Sequence, residues 1–407
     1  MIGYRQASAL RWSVPMSEDW PTVTLREVTQ RITKGTTPTM AGGGFVPTGV
    51  NFIKVESITE SGRIERDKLT HIDTATHAHL ARSILEEDDV LFTIAGTIGR
   101  STVVPSSILP ANTNQAVAIV RPDKSRILPR YLYYALRDDK RLAEVLSRVV
   151  QSVQANFSLG ELAAIRVSLP QMAEQRAIAE VLARLDDKME ANRQLTTHCD
   201  SAWRALLEAV TDGEVVPLVG LADFVNGGAF TKDASGSGRM VVRIAELNSG
   251  PGGSTVYNDI DVKPDHLANL GDLLFAWSGS LGVYRWCRTE SIINQHIFKV
   301  IPKPGVPMWL VHGRILDLLP MFRSIAAEKA TTMGHIQRRH LDGGVVVPGP
   351  EVLGQLKPVC QGLWDRALAA ERENLILADL RDTLLPELMS GRIRVREMPK
   401  SNEELSA

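Results

Sequence analysis

Asp89-Val-Leu-Phe-Thr-Ile-Ala-Gly-Thr-Ile-Gly99 is answered later in the chain by Asp272-Leu-Leu-Phe-Ala-Trp-Ser-Gly-Ser-Leu-Gly282. Each stretch is an acidic residue, a short apolar run of strand character, and then a polar loop containing glycine. Further landmarks recur around this pair in the same order. Trp20-Pro-Thr-Val-Thr-Leu-Arg-Glu-Val corresponds to Val216-Pro-Leu-Val-Gly-Leu-Ala-Asp-Phe, and Asn51-Phe-Ile-Lys-Val-Glu-Ser-Ile to Val241-Val-Arg-Ile-Ala-Glu-Leu-Asn. Asn114-Gln-Ala-Val-Ala-Ile-Val corresponds to Asn294-Gln-His-Ile-Phe-Lys-Val, and Ile165-Arg-Val-Ser-Leu-Pro170 to Gly343-Gly-Val-Val-Val-Pro348. The offset between copies drifts slowly, as small loop insertions require, and chance does not easily keep so many landmarks in order. The chain reads as a duplication.

Within each copy the elements are short. Segments 50–55, 90–94 and 116–120 are β-rich runs bounded by Gly, Pro or Asp, and a helical stretch is expected over 130–149. Each copy is therefore read as a compact α+β domain. The 407 residues, 44% apolar and 23% charged, suffice for two such cores. A formal net charge of −1 neither announces nor excludes a nucleic-acid partner, because a docked groove needs only a local basic face. No apolar run reaches the roughly 18–20 residues of a membrane span, and the first residues lack a secretory pattern. Three widely separated cysteines, Cys199, Cys287 and Cys360, indicate neither a disulfide framework nor a structural zinc, so a cytoplasmic setting is expected.

After Pro170 and Pro348 the texture changes to Ala, Leu, Glu and Arg. In the first segment Ile178, Leu182, Leu185, Met189, Asn192, Thr196, Cys199, Trp203 and Leu206 alternate at spacings of four and three, the seam of a coiled coil. The second repeats it with Leu356, Cys360, Leu363, Ala367, Ala370, Asn374, Leu377, Arg381 and Leu384. An Asn on each seam is suited to fixing register. Two helices of about 40 residues, roughly 60 Å each, are long enough to act as a spacer. Antiparallel pairing would relate the two domains by an approximate two-fold axis; separate packing of each helix on its own domain is the alternative. The expected organisation is a tail over 1–19, domains at 20–170 and 213–348, spacer helices at 171–212 and 349–395, and a flexible tail over 396–407.

Leu169-Pro-Gln-Met-Ala-Glu-Gln-Arg-Ala-Ile-Ala-Glu-Val-Leu, followed by Leu185-Asp-Asp-Lys-Met-Glu-Ala-Asn-Arg, resembles the central conserved region of type I restriction–modification specificity subunits. Leu380-Arg-Asp-Thr-Leu-Leu-Pro-Glu-Leu-Met-Ser-Gly-Arg-Ile-Arg-Val resembles that family's second conserved region. One departure is that Pro350-Glu-Val-Leu-Gly-Gln-Leu lacks the Glu-Gln-Arg that follows Pro170. The resemblance implies two target-recognition domains, each reading one half of a bipartite, gapped site in double-stranded DNA. It implies helices that dock methyltransferase subunits, two of them, with motor–nuclease subunits completing the complex. S-adenosylmethionine, ATP and magnesium would be used by those partners, with no cofactor bound by this chain.

Chemistry of the chain's own is not expected. There is no phosphate-cradling Gly-x-x-x-x-Gly-Lys-Ser/Thr loop and no Asn/Asp-Pro-Pro-Tyr/Phe tetrapeptide of an amino-methyltransferase. His71, His77 and His79 lack thiol or carboxylate neighbours at ligand spacing, so solvated histidines are the better reading. Pro122-Asp123 with Asp138-Asp139-Lys140 imitates a nuclease signature, but the two pieces fall on a loop and a helix, whereas metal-dependent cleavage needs converging carboxylates.

Three loop pairs are candidates for DNA contact because they combine glycine with polar or basic side chains. The first holds Lys34, Thr36 and Thr37, answered by Lys232. The second holds Thr97 and Arg100, answered by Ser278 and Ser280, with a tight strand connection as the competing role. The third holds Gln154 and Asn156, answered by His335, Gln337, Arg338 and Arg339. Arg338 and Arg339 are the leading individual contacts, with surface ion pairs as their competing role. Asn114-Gln115 and Asn294-Gln295 fit backbone capping better, and Arg141 and Arg148 fit a solvated helix face. Two other functions compete with DNA specificity: a coiled-coil scaffold whose repeated domains bind another ligand, and an autonomous nuclease or methyltransferase.

Overall fold

The computed structural model describes residues 20–138, 157–210, 212–328 and 334–395. The expected tails at 1–19 and 396–407, the far end of the 130–149 helix with Arg141 and Arg148, and the candidates Gln154 and Asn156 lie outside the described residues. The chain divides into two compact units: one is residues 1–187 with 379–407, the other residues 188–378.

In the first unit, Thr22–Thr24 pairs antiparallel with Arg166–Ser168, closing the ends of the domain on one another. A four-stranded antiparallel sheet runs in the order Thr29–Lys34, Val117–Pro122, Val90–Thr93, Ser101–Val103. A three-stranded sheet sets Val50–Ile53 between Thr70–Ile72 and Ala111–Thr113, the last pairing being parallel. Because side chains alternate along a strand, Val90, Phe92, Ala118 and Val120 reach one core. They meet Tyr131, Leu132 and Ala135 of the helix Pro129–Leu136 there. Leu91, Val117 and Ile119 project the other way, onto Ile53, Ile58 and Val104. Burial on both faces explains why these strands read as nearly continuous apolar runs.

The second unit repeats this plan. Gly213–Pro217 pairs with Gly344–Pro348, and the four-stranded sheet runs Ala222–Asn226, Ile297–Pro302, Leu273–Ala276, Gly282–Arg285. Arg239–Val242 pairs in parallel with Ser291–Ile293, as Val50–Ile53 does with Ala111–Thr113. Leu273, Phe275 and Val300 pack on the helix Met308–Glu328, while Leu274 and Ile297 face Val242 and Ile293. Strand order and pairing sense are thus duplicated along with the sequence landmarks, apart from one extra short strand, Leu267–Ala268, at the edge of the second unit's smaller sheet.

The two long helices are Met172–Glu208 and Pro350–Met389. In each unit their segments run antiparallel. In the first, Glu174 pairs with Arg394 just beyond the second helix, and Asp186 with Arg381. Ile178 and Leu182 join Leu385, Leu388 and Met389 in its core. In the second unit Asn192 Nδ2 donates to Glu373 Oε2 at 2.7 Å and Asn374 Nδ2 donates to the Met189 carbonyl at 3.1 Å. Met189, Asn192 and Trp203 are buried, and Leu185, Leu356, Leu363, Asn374, Leu377 and Leu384 are half-buried.

Leu206 departs from the expected seam. It is 37% exposed, whereas Leu207 is buried with Trp203 against Leu310 and Ile315. A strict heptad drifts around a 3.6-residue helix, and in its last turn this helix packs on the second domain's core, a face set by the 203/207 spacing. Arg381, the charge that interrupts the seam, is accommodated by Asp186 and Asp382.

Candidate nucleic-acid interface

In the second copy, strand Leu273–Ala276 runs into a loop that turns at Gly279, whose φ of 64° favours glycine. Gly279 N donates to the Gly334 carbonyl at 2.9 Å, and Ile336 N to the Trp277 carbonyl at 3.1 Å. An isolated bridge joins Ser278 to His335. This pairing brings together the second and third candidate loops, and with them Ser278, Ser280, His335 and Gln337. A short 3₁₀ turn, Arg338–Asp342, follows at once, its cap tied by Gln337 N donating to His340 Nδ1 at 3.0 Å. Arg338 and Arg339 stand exposed on that turn, and Ser280 and Gln337 are exposed beside it, while Ser278 is buried. Two guanidinium groups next to an exposed hydroxyl and amide form a surface able to grip phosphate and base edges.

Lys232 is exposed on a separate turn that begins at Gly228. That turn lies beside Asn294, because Gly228 N donates to the Ile293 carbonyl at 3.2 Å. The preceding Gly227 leaves no space for a side chain: a Cβ there would sit 2.3 Å from the Ile293 and Asn294 carbonyl oxygens. Gly35 does the same in the first copy, against the carbonyls of Thr113 and Asn114. The glycine in each first loop therefore serves close backbone approach.

In the first copy Lys34 is exposed at the end of its strand. Thr36 N donates to the Thr113 carbonyl at 3.0 Å, and the Thr37 hydroxyl donates to Gln115 Oε1. Arg82, absent from the sequence candidates, reaches the Thr36 hydroxyl at 3.4 Å. Its segment, Ala81–Ser83, gives no basic run or motif to single it out. In the glycine loop the Thr97 carbonyl accepts the Thr93 hydroxyl at 2.5 Å. Arg100 is engaged inside the domain, donating to the Ile58 carbonyl at 2.8 Å and pairing with Glu60 at 3.6 Å. Its guanidinium braces the 58–60 turn, so Lys34 is the freer cation of this edge.

The capping reading fits Asn114, whose Oδ1 accepts from Ala116 N at 3.1 Å. Asn294 does not repeat that bond: its Oδ1 is buried with no partner among the described residues. Gln175, the centre of the Glu-Gln-Arg motif, is fully buried. It donates to the Pro170 and Arg126 carbonyls and accepts from Leu128 N. That staple holds the helix start to the first domain, and the second copy lacks the motif residue that makes it.

Asp123 caps its own turn, its carboxyl held below the usual range by the Ser125 hydroxyl and amide. Asp139 and Lys140 lie outside the described residues. His77 Nδ1 is paired with Asn112. Among the described residues no group of three or more His, Cys, Asp or Glu could hold a metal ion, and no helix is long and apolar enough to cross a membrane.

Residues 17–198 match the family model described as type I restriction modification DNA specificity domain. A protein of Methanocaldococcus jannaschii assigned as the MjaX type I restriction enzyme specificity subunit is 26% identical over 176 residues, 42% of this chain and 40% of that protein. The EcoBI type I restriction enzyme specificity subunit of Escherichia coli is 26% identical over 180 residues, 43% of this chain and 36% of that one. The matched stretch thus spans well under half the length of these curated relatives. The crystal structure of a type I restriction–modification S subunit from M. genitalium aligns with 92% of this chain and 98% of its own, with a TM-score of 0.51 and 14% identity. That last likeness is one of fold.

Proposed function

We propose that the chain, whose residues 17–198 match the type I restriction modification DNA specificity domain model, is a specificity subunit that selects the DNA sequence on which a modification and restriction complex acts. Each copy reads one half of a bipartite, gapped duplex site. The paired helices set the spacing between the readers and dock methyltransferase subunits. The chain is non-catalytic: methyl transfer, translocation and cleavage, with S-adenosylmethionine, ATP and magnesium, belong to methyltransferase and motor–nuclease partners.

The observation that carries this reading is a common frame bearing different loops. Phe157 N donates to the Ile94 carbonyl just as Ile336 N donates to that of Trp277, and Gly35 and Gly227 make the same close approach. Yet the loop side chains differ between copies, as two readers of unlike half-sites require. Phosphate contacts position such a reader and base contacts specify it; Lys34, Thr36, Thr37 and Thr97 in one copy and Lys232, Ser280, Gln337, Arg338 and Arg339 in the other suit both tasks.

Replacing 20–170 with the equivalent domain of another family member, in the host with its partner subunits, tests the reading. The methylated genomic motif should change in one half only, with the other half and the gap retained. A change in both halves would refute independent reading. An unaltered methylation map after deletion of the whole gene, in a strain that still methylates its DNA, would refute the specificity role itself.

A further inference from the structure

We infer that Trp277, His296 and His335 form a base-reading cluster in the second copy, two of them on positions that the first copy fills with Ile94 and Ala116. This inference rests on the DNA-specificity reading above and names the surface that carries it out.

The equivalences follow from backbone hydrogen bonds. Ile94 N donates to the Ala116 carbonyl at 2.8 Å, and Trp277 N donates to the His296 carbonyl at 3.2 Å. Phe157 and Ile336 make matching bonds to the Ile94 and Trp277 carbonyls, and His335 immediately precedes Ile336. On one frame, an aliphatic and a methyl side chain have been exchanged for an indole and an imidazole, and a second imidazole, that of His335, stands beside them.

Core packing accounts for one face of Trp277 only. Trp277 is half-buried, stacked on Phe298 at 5.7 Å between ring centroids. It lies 5.5 Å from the His296 ring and 6.4 Å from that of His335. Its Nε1 donates to Asn226 Oδ1 at 2.8 Å, which orients the ring and leaves the face away from Phe298 and the carbocyclic edge as the variable surface. All three rings lie at the loop that also presents Ser280, Gln337 and the two exposed arginines.

Two polar atoms at this place have no partner among the described residues: His296 Nδ1, and Oδ1 of Asn294, a residue only 7% exposed. In the first copy the corresponding Asn114 Oδ1 closes its own turn. Buried polar atoms without partners are costly, and ligands or ordered water relieve that cost. Imidazoles donate to or accept from base edges, and an indole edge offers apolar contact of the kind that distinguishes a thymine methyl. The chemistry is that of base-pair edges in duplex DNA.

The test is a methylation map of the host carrying His335→Asn, and separately His296→Ala with His335→Asn, where His296→Ala restores the first copy's residue. Discrimination should relax roughly tenfold at one or two base pairs of a single half-site, the scale of one lost base contact. The other half and the gap should stay as in the wild type. A motif and methylation level unchanged in both variants would overturn the inference. So would equal loss across every position in His335→Asn, whose thermal unfolding reports whether the fold is intact. Failure of the broader reading looks different, because the wild-type chain itself would then direct no methylation.

Discussion

Arg285, on the edge strand of the second domain's sheet, makes a paired contact with Asp200 of the first long helix: Nη1 to Oδ1 at 2.6 Å and Nη2 to Oδ2 at 2.8 Å. Its Nε and Nη2 also reach the Glu371 carboxylate of the second long helix, at 3.0 and 2.6 Å, and its guanidinium lies 4.9 Å from the Trp364 ring. One cation thus fastens a recognition sheet to both helices within the same unit. The side chain is 3% exposed, and burial alone would lower its affinity for the proton; the hydrogen bonds to Asp200 and Glu371 outweigh that and hold it raised. The Asp200 carboxyl, also opposed by burial, is held low by the same guanidinium.

Arg285→Met should therefore destabilise the second unit by about 3 kcal/mol, near the low end of the loss on breaking a buried pair, because the stranded carboxylates can partly rehydrate. Asp200→Asn and Glu371→Gln should each cost less, since the other carboxylate remains. Chemical denaturation of the three variants measures this. A midpoint for Arg285→Met equal to the wild type would show that the clamp carries no weight.

His312 lies between Trp203 and Trp364, at 5.5 and 5.2 Å between ring centroids. Burial first, and then the neighbouring Arg285 charge, push its pKa from the usual 6.5 down to about 3; Asp200 opposes the shift and Arg204 adds to it. Below pH 6.5 the unfolded chain takes up a proton that the folded chain refuses, so stability falls with pH by up to about 1.4 kcal/mol per unit until the folded value is reached. His312→Phe should remove this part of the acid slope. The check is the unfolding midpoint between pH 7 and pH 4, where identical slopes for variant and wild type would contradict the assignment.

The duplication was legible because strand order, glycine approach and helix phase are all written in local pattern, as Gly35 and Gly227 illustrate. What escaped was set by packing across the fold. Leu206 satisfies the heptad spacing, but the core that claims Trp203 and Leu207 is assembled from residues spread from Leu218 to Trp364. Arg100 sits in a loop of DNA-binding composition, yet its donors meet Ile58 and Glu60, some forty residues earlier in the chain. Gln175 reads as a family motif and acts as a staple to Arg126 and Leu128. Arg285 shows no motif, because its partners are brought together only by the antiparallel helices. The exchange of Ile94 and Ala116 for Trp277 and His296 was visible in the aligned copies, but its meaning depends on the hydrogen bonds that make the positions equivalent.

Glycines divide by their surroundings, which gives a paired prediction. Gly35→Ala and Gly227→Ala place a methyl 2.0 and 2.3 Å from carbonyl oxygens, so backbone must move. Each should cost about 1–3 kcal/mol, the scale of overpacking. Gly354 and Gly362, inside the second long helix, have nothing within 4 Å of a built Cβ. Alanine there should stabilise by about 0.5–1 kcal/mol through helix propensity. Thermal unfolding of the four variants measures both, and equal melting temperatures across the set would contradict the division.

Arg338 and Arg339 stand exposed on the 3₁₀ turn beside Gln337, but an exposed arginine can grip phosphate or read a base, and the two roles separate by measurement. A phosphate contact releases counterions, so its loss weakens binding to every sequence alike and reduces the slope of log affinity against log salt by about 1. A base contact leaves that slope nearly unchanged and costs about 1–3 kcal/mol on the cognate site alone. At three residues per turn, consecutive side chains of a 3₁₀ turn project about 120° apart, so the pair is expected to divide the roles between them. Arg338→Ala and Arg339→Ala, titrated against cognate and non-cognate duplexes at several salt concentrations, should yield one variant of each kind. If neither variant changes affinity or salt slope, the turn lies off the DNA, and the first-contact role passes to the Lys232 loop.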